Sequence, residues 1–273
     1  MGAKRRELDF KTQSKLMSSP KNLKRIIARL DVKGNRLIKG IHLEGWRFLP
    51  GNPLDYCQKY YDQGADEIIY IDSVASLYSR NYLSDLIEQY TKGVFIPITV
   101  GGGIRTVENA FEILRSGADK IAINTQAVKE PEIISRIADR FGIQCVVASI
   151  QAKFNNTIRQ HEVWYDSARE KTDLEVVEWA LKLESLGAGE ILLTSVDKDG
   201  LMRGMDVELI SKVASAVKIP VIASGGFSKV QDLDGVVSSN ADAVAIAKAL
   251  HYENTSITDV KMYAKSNNIF VRP

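Results

Sequence analysis

Cysteine is scarce. Only Cys57 and Cys145 carry a thiol among 273 residues, and both fall within apolar patterns. Two such residues build no disulfide framework, and buried thiols of this kind fit a reducing, cytoplasmic compartment. No catalytic thiol is indicated. Histidine is nearly as rare: His42, His161 and His251 stand in no metal-ligand spacing, so neither a metal nor another cofactor is expected. No apolar run approaches the roughly 18 residues that cross a bilayer, so no transmembrane helix is expected. A surplus of one charge is also missing. Lysine and arginine (36) nearly balance aspartate and glutamate (34), and the net +2 gives no pull toward nucleic acid or a membrane surface. The basic residues therefore serve local sites.

What the chain does have is apolar residues, 45% of the total, enough for one large core; single barrel domains run to about 250 residues. Residues 1–22 read differently, with Lys4-Arg5-Arg6, scattered polar residues and no sustained period. They lack the continuous apolar core of a secretory signal and are expected to be a disordered or non-native extension ahead of one domain over 23–273.

One stretch occurs twice. Val100-Gly101-Gly102-Gly103-Ile104-Arg105-Thr106 is answered by Ala223-Ser224-Gly225-Gly226-Phe227-Ser228-Lys229, which puts Gly103 and Gly226 123 residues apart. Each copy follows an apolar run and precedes a helical pattern. Glycines let backbone N–H groups approach an oxyanion, and a helix N-terminus adds partial positive charge. A second pair keeps the same offset: Lys120 to Thr125 answers Ala243 to Lys248, with Asn124 opposite Ala247. Glycine turns also simply join strands to helices, but two copies in constant register point to two phosphate sites and a substrate phosphorylated at both ends.

From Leu23 onward, short β-rich runs alternate with helical ones. The expected strands are Arg25 to Val32, Glu67 to Asp72, Phe95 to Val100, Lys120 to Asn124, Gln144 to Ile150, Glu190 to Ser195, Val221 to Ala223 and Ala243 to Ala247. Between them lie helices such as Thr106 to Ser116, Pro131 to Phe141, Leu174 to Leu186 and Val207 to Val217. Thr106, Asp173 and Asp206 are expected N-caps, and Gly117, Gly142 and Gly187 stand where helices should stop. Strict alternation implies a parallel sheet, and eight units imply a closed (β/α)8 TIM barrel. An open doubly wound sheet is the competing fold. The repeat favours a barrel of two half-barrels related by approximate twofold symmetry.

In such a barrel the chemistry belongs at the carboxyl ends of the strands. Asp31 and Gln151 end the first strand of each half and should face each other across the mouth. A carboxylate there is a candidate general base, or else a loop residue accepting backbone N–H bonds. An amide can orient a substrate but has no proton to exchange near neutral pH. Lys33 to Asn52 is long for a strand-helix connection and reads as a mobile lid, with Lys39 as its anion partner. Lys153 to Thr172, which lacks glycine, reads as a small hairpin over the same mouth. At the opposite end, Arg25, Glu67, Lys120 and Glu190 begin strands and could close the floor as a ring of ion pairs.

These residues together resemble the cyclase subunit of imidazole glycerol phosphate synthase, the HisF family, from about Leu23 to Arg272. The motifs that carry the resemblance are Arg25-Ile26-Ile27-Ala28 with Leu30-Asp31-Val32-Lys33, Thr99-Val100-Gly101-Gly102-Gly103-Ile104, Ile123-Asn124-Thr125, Gly187 through Ser195, and Ile222-Ala223-Ser224-Gly225-Gly226. The resemblance implies a barrel that takes ammonia from a partner glutaminase through its interior. It then cleaves and cyclises a bis-phosphorylated ribulosyl carboxamide ribonucleotide, giving imidazole glycerol phosphate and aminoimidazole carboxamide ribotide. It makes Asp31 the general base and Lys39 the loop lysine. Gly103, Asn124 and Thr125 fall at one phosphate site, and Asp199, Gly200, Gly226 and Ala247 at the other, with Thr194 at the end of an intervening strand. Arg25, Glu67, Lys120 and Glu190 become the ammonia gate, and Asp119 and Gln144 lie near the glutaminase interface.

Three positions depart from the family. Gln151 stands where the family has a catalytic aspartate, Lys248 replaces a serine at the second phosphate site, and Arg29 places a bulky basic residue beside Asp31. Loss of a proton-transfer group commonly costs about a hundredfold to ten-thousandfold in rate. Two readings therefore stay open. One is the cyclase itself. The other is a HisF-like protein of the kind associated with sugar amidation in surface-polysaccharide synthesis, activating a glutaminase and delivering ammonia to a separate amidotransferase. The segment around Trp164-Tyr165-Asp166 and Arg169-Glu170-Lys171-Thr172 also resembles that branch.

Overall fold

A computed structural model describes residues 23–75 and 83–273; the expected N-terminal extension lies outside the described residues. Eight parallel strands close on themselves: β1 (Arg25–Lys33), β4 (Glu67–Asp72), β5 (Ile98–Gly101), β6 (Lys120–Ile123), β7 (Val146–Asn155), β10 (Glu190–Ser195), β11 (Val221–Ser224) and β12 (Ala243–Ile246). The ring closes where Arg25 to Ala28 of β1 pair with Ala243 to Ile246 of β12. The open sheet is thereby excluded.

Each strand is buried on both faces, as a parallel sheet sheathed by helices requires. In β1 the even positions Ile26, Ala28, Leu30 and Val32 pack outward in the large core between sheet and helices. Ile27 points inward, where it meets Ile69, Ala122, Val147, Leu192, Ile222, Ala243 and Ala245 in an apolar plug on the barrel axis. By the same alternation Arg25 lies below that plug, and Arg29 and Asp31 lie above it.

The outer helices are bounded by local chemistry. In α1 (Pro53–Asp62) proline opens the first turn, where its missing N–H costs nothing, and the Asn52 side chain accepts from the Leu54 N–H. Thr106 caps α3 (Val107–Arg115), which follows α2 (Leu83–Tyr90), and Asp206 caps α7 (Val207–Ala216); both positions were expected. After the short α4 (Thr125–Lys129), α5 (Glu132–Phe141) buries Ile133, Ile134, Ile137 and Ala138 on one stripe. Gly117, Gly142 and Gly187 all have positive φ (112°, 93° and 97°), which only glycine adopts freely at a helix end.

Several boundaries differ from expectation. Phe95 to Pro97 precede β5 rather than belonging to it, and Phe95 is 75% exposed. Gln144 and Cys145 lie in a short 3-10 turn before β7, because Gly142 turns the chain with φ 93°. Asp173 caps nothing: it lies within strand β9 (Glu170–Glu175), and Glu175 accepts from Val177 and Glu178 N–H to cap α6 (Val176–Ser185). The Lys33 to Asn52 connection is an antiparallel hairpin, β2 (Arg36–Ile41) and β3 (Glu44–Phe48), in which β2 also pairs with β1. The second long connection forms the expected hairpin: β8 (Gln160–Tyr165) pairs with the extended end of β7 and with β9. Having no glycine, it turns through Arg159 at φ 54° and through Asp166, Ser167 and Ala168 at φ 54°, 59° and 58°.

Candidate active site

The mouth of the barrel is built on β1. Asp31 and Arg29 are two residues apart on one strand and therefore point the same way. Arg29 Nε donates to Asp31 Oδ1 at 2.9 Å, and Arg29 Nη1 donates to Thr194 Oγ1 at 2.9 Å and Ser224 Oγ at 3.1 Å. One guanidinium thus ties β1 to β10 and β11. Lys39, carried in by β2, donates to Asp31 Oδ2 at 3.1 Å and to Asp199 Oδ1 at 3.1 Å. All four charged groups are buried. Burial alone would raise the Asp31 pKa, but the Arg29 and Lys39 charges and hydrogen bonds outweigh it and hold the carboxyl at about 2.

Gln151 faces this cluster from β7. Its Oε1 accepts the Ala168 N–H at 2.7 Å, so the amide also holds the left-handed turn of the β8–β9 hairpin. Ser167 Oγ continues the seal by donating to the Ser73 carbonyl at 3.2 Å.

Two cavities flank the cluster. The larger, about 380 Å³, is lined by Gly103, Asn124, Thr125, Thr194 and Gln151, together with Arg29. The first expected phosphate site is thus an open chamber. The second set, Asp199, Gly200, Gly226, Ala247 and Lys248, meets around a cavity of only about 20 Å³ beside Lys39. The β2–β3 hairpin closes that side. A methyl group on Gly200 (φ 72°) would meet the Gly40 carbonyl oxygen at 2.2 Å, and His42 N–H donates to the Asp199 carbonyl at 3.0 Å. Lys248 Nζ donates to the Gly200 carbonyl at 2.8 Å, so its charge already lies in that corner.

At the floor, the four charged residues form a closed ring. Arg25 bonds Glu67 (2.6 Å) and Glu190, and Lys120 bonds Glu67 at 3.2 Å and Glu190 at 2.9 Å. Each carboxylate meets both cations, so charges alternate around the axis beneath the apolar plug. The surface outside carries an open depression of about 400 Å³ lined by Leu23, Arg25, Lys120, Gln144 and Glu190. Gln144 thus stands at the floor. Asp119 lies just before β6, where its Oδ2 accepts the Ile98 N–H at 2.8 Å.

Sequence reasoning named Arg29 as a departure but missed its partners Thr194 and Ser224. The available signal was parity, since Arg29 shares the inward face of Asp31. Among the described residues no group of three or more His, Cys, Asp or Glu side chains could hold a metal ion, and no helix is long and apolar enough to cross a membrane.

A (β/α)8 barrel with a charge ring at one end of its axis and an anion-suited mouth at the other defines the class. The profile of the histidine biosynthesis protein family matches residues 25–256, and the chain belongs to this family. It is 57% identical over 211 residues to the imidazole glycerol phosphate synthase subunit HisF of Legionella pneumophila, covering 77% of this chain and 98% of that protein. The HisF subunit of Lactococcus lactis subsp. cremoris strain SK11 is 44% identical over 250 residues, 91% of this chain and 96% of that protein. That of Bifidobacterium longum strain DJO10A is 44% identical over 252 residues, 91% and 98% respectively.

Proposed function

We propose that the chain is the HisF-type cyclase subunit of an imidazole glycerol phosphate synthase, working with a HisH-like glutaminase docked on the barrel floor. Ammonia enters through the ring of Arg25, Glu67, Lys120 and Glu190, passes the apolar interior, and reaches the mouth. There it cleaves and cyclises the bis-phosphorylated ribulosyl substrate. One phosphate sits at Gly103, Asn124 and Thr125; the other is taken at Asp199, Gly200, Gly226, Ala247 and Lys248 when the β2–β3 hairpin swings off that closed corner. The observation that carries this reading is the closed floor ring, four buried or half-buried charges set on the axis of the apolar interior. Charges in such a place are costly unless paired, and apolar residues would close a barrel at lower cost. A cytoplasmic setting fits the two free thiols, Cys57 having its pKa pushed up to about 12 by burial.

Asp31 is the general base of this reading, and in the closed mouth it is a weak one. A carboxyl held at about 2 takes up protons poorly near neutral pH, and release of Lys39 as the β2–β3 hairpin opens would raise its basicity. Gln151 supplies no acid. Purified chain given ammonium salt and the ribulosyl substrate should therefore turn over about a hundredfold to ten-thousandfold more slowly than a HisF relative with aspartate at this position. Gln151→Asp should recover part of the loss. Undiminished turnover by the unmodified chain would show that Gln151 does not disable proton transfer.

A second reading turns on the ion pairs around Asp31. Arg29 and Lys39 occupy the space around Asp31 and neutralise it, which suits a protein that passes ammonia on rather than consuming it. In that case the chain activates a glutaminase and feeds a sugar amidotransferase. No complex with a cognate glutaminase, and no change in glutamine hydrolysis on mixing, would count against both readings; complex formation without cyclase activity in Gln151→Asp would select the second.

A further inference from the structure

We propose that Arg29 and Gln151 form a two-donor clamp for a carboxylate, and that the open chamber at the barrel mouth takes a small phosphorylated acid. This ligand class differs from the two-phosphate substrate of the synthase reading. It rests on only one part of that reading, the phosphate position at Gly103 and Thr125.

Arg29 is 5% exposed, and its side chain is fixed by hydrogen bonds from Nε to Asp31 and from Nη1 to Thr194 and Ser224. Its Nη2 meets no acceptor among the described residues, while the residue lines the chamber. Gln151 is fixed in the same manner. The Ala168 N–H can only donate, so Oε1 is the atom it meets, and Nε2 is the amide donor left over in a residue that lines the same chamber. The two groups are neighbours by register: Thr194, which accepts from Arg29, pairs with Gln151 on the adjoining strand.

Two N–H donors, one on a guanidinium that keeps its charge at every working pH, are best satisfied by an ionised oxygen pair. The mouth's own charges do not oppose an incoming anion. Arg29 and Lys39 balance Asp31 and Asp199, and on the chamber wall Arg105 and Lys129 balance Asp72 and Asp166, so a carboxylate meets donors without a net negative field. Asn124 lines the same chamber, its Nδ2 held by the Ser149 carbonyl at 3.0 Å. At about 380 Å³ the chamber suits a small molecule, whereas the cavity across the mouth, about 20 Å³, has room for about one water. A ligand anchored at one phosphate and one carboxylate fits this asymmetry.

Calorimetric titration of the full chain with inorganic phosphate, glycerol 3-phosphate and 3-phosphoglycerate tests the clamp, since the two esters differ at the carboxylate. The phosphoglycerate should bind about tenfold or more tightly than glycerol phosphate, because a charge-assisted pair of hydrogen bonds is gained. In Arg29→Met and in Gln151→Leu the preference should largely disappear while inorganic phosphate binds as before. Equal affinity of the two esters for the unmodified chain overturns the clamp and leaves the phosphate position standing; this comparison decides even if a variant fails to fold. A preference that survives in both folded variants overturns it as well. Failure of all three compounds to bind removes the phosphate position, and the clamp with it.

Discussion

His251 is buried against Tyr60, with its Nδ1 2.7 Å from the tyrosine hydroxyl and the two rings stacked at 5.9 Å. Burial, helped by the nearby Lys39 charge and opposed by Asp31, lowers its pKa to about 3. The unfolded chain keeps the ordinary value near 6.5 and so binds the proton first as pH falls. The stabilising contribution is complete above about pH 6.5 and is lost progressively toward pH 3, at up to about 1.4 kcal/mol per pH unit. The melting temperature should therefore fall between pH 6.5 and 4.5 more steeply in the unmodified chain than in His251→Gln; parallel curves would show that the imidazole is not held neutral. Nothing in the sequence marked His251 for this role, because its environment comes from residues about 190 positions away. Asp31 and the floor charges were legible, since strand parity and position at a strand end decide where they point; Lys39 was legible only as a basic residue of a long connection, not as a partner of Asp31 and Asp199. Arg29 was legible only as a basic residue. Its partners Thr194 and Ser224 are on strands that become its neighbours only when the barrel closes.

At the level of elements, the two long connections after β1 and β7 occupy equivalent places in the two halves, and both fold back as antiparallel strands. The sequence marked their length and, for the second, the hairpin. It hid the antiparallel pairing of the first, where glycines at 34, 40 and 45 masked a β pattern. Asp173 failed as a cap for a related reason: strand pairing with β8 held the chain extended for two more residues, and Glu175 took over the role. The glycine-free β7–β8 turn carries a testable cost. Arg159 is exposed and adopts φ 54°, a region where a side chain costs about 1–2 kcal/mol. Arg159→Gly should stabilise the protein by about 0.5–1 kcal/mol after the larger unfolded-state entropy of glycine is subtracted. Urea unfolding at constant m-value would measure it, and destabilisation would show that the arginine side chain contributes more than the strain removes.

Across the whole molecule the internal repeat survives in the backbone. Asn124 and Ala247 adopt nearly the same torsion angles, φ −118°, ψ −77° and φ −122°, ψ −84°, and glycines 102, 103, 225 and 226 all have positive φ. The halves share a frame and differ in what fills it: one mouth cavity is open, the other shut by β2 and Lys248. The floor is a separate surface, and its chemistry differs from that of the mouth. Leu23, Ile143 and Phe95, each just ahead of a barrel strand, are 47%, 56% and 75% exposed; Leu23 lines the depression with the charge ring and Gln144, Ile143 precedes Gln144 in the chain, and Phe95 lies edge-on to the Tyr61 ring at 6.4 Å. Large apolar side chains exposed near one face are the usual mark of a protein partner, and here they stand at the end of the barrel that a glutaminase would have to cover. Phe95→Glu and Ile143→Glu remove exposed apolar surface, so monomer stability should change by no more than about 0.5 kcal/mol. Association with the glutaminase should weaken by tenfold or more for each substitution, about 1.4 kcal/mol, because a carboxylate at an interface core is left desolvated and unpaired. Sedimentation or calorimetric titration of each variant against the partner reads this directly. Unchanged affinity in both variants would move the docking surface away from the floor, and the charge ring would then have no supplier beneath it.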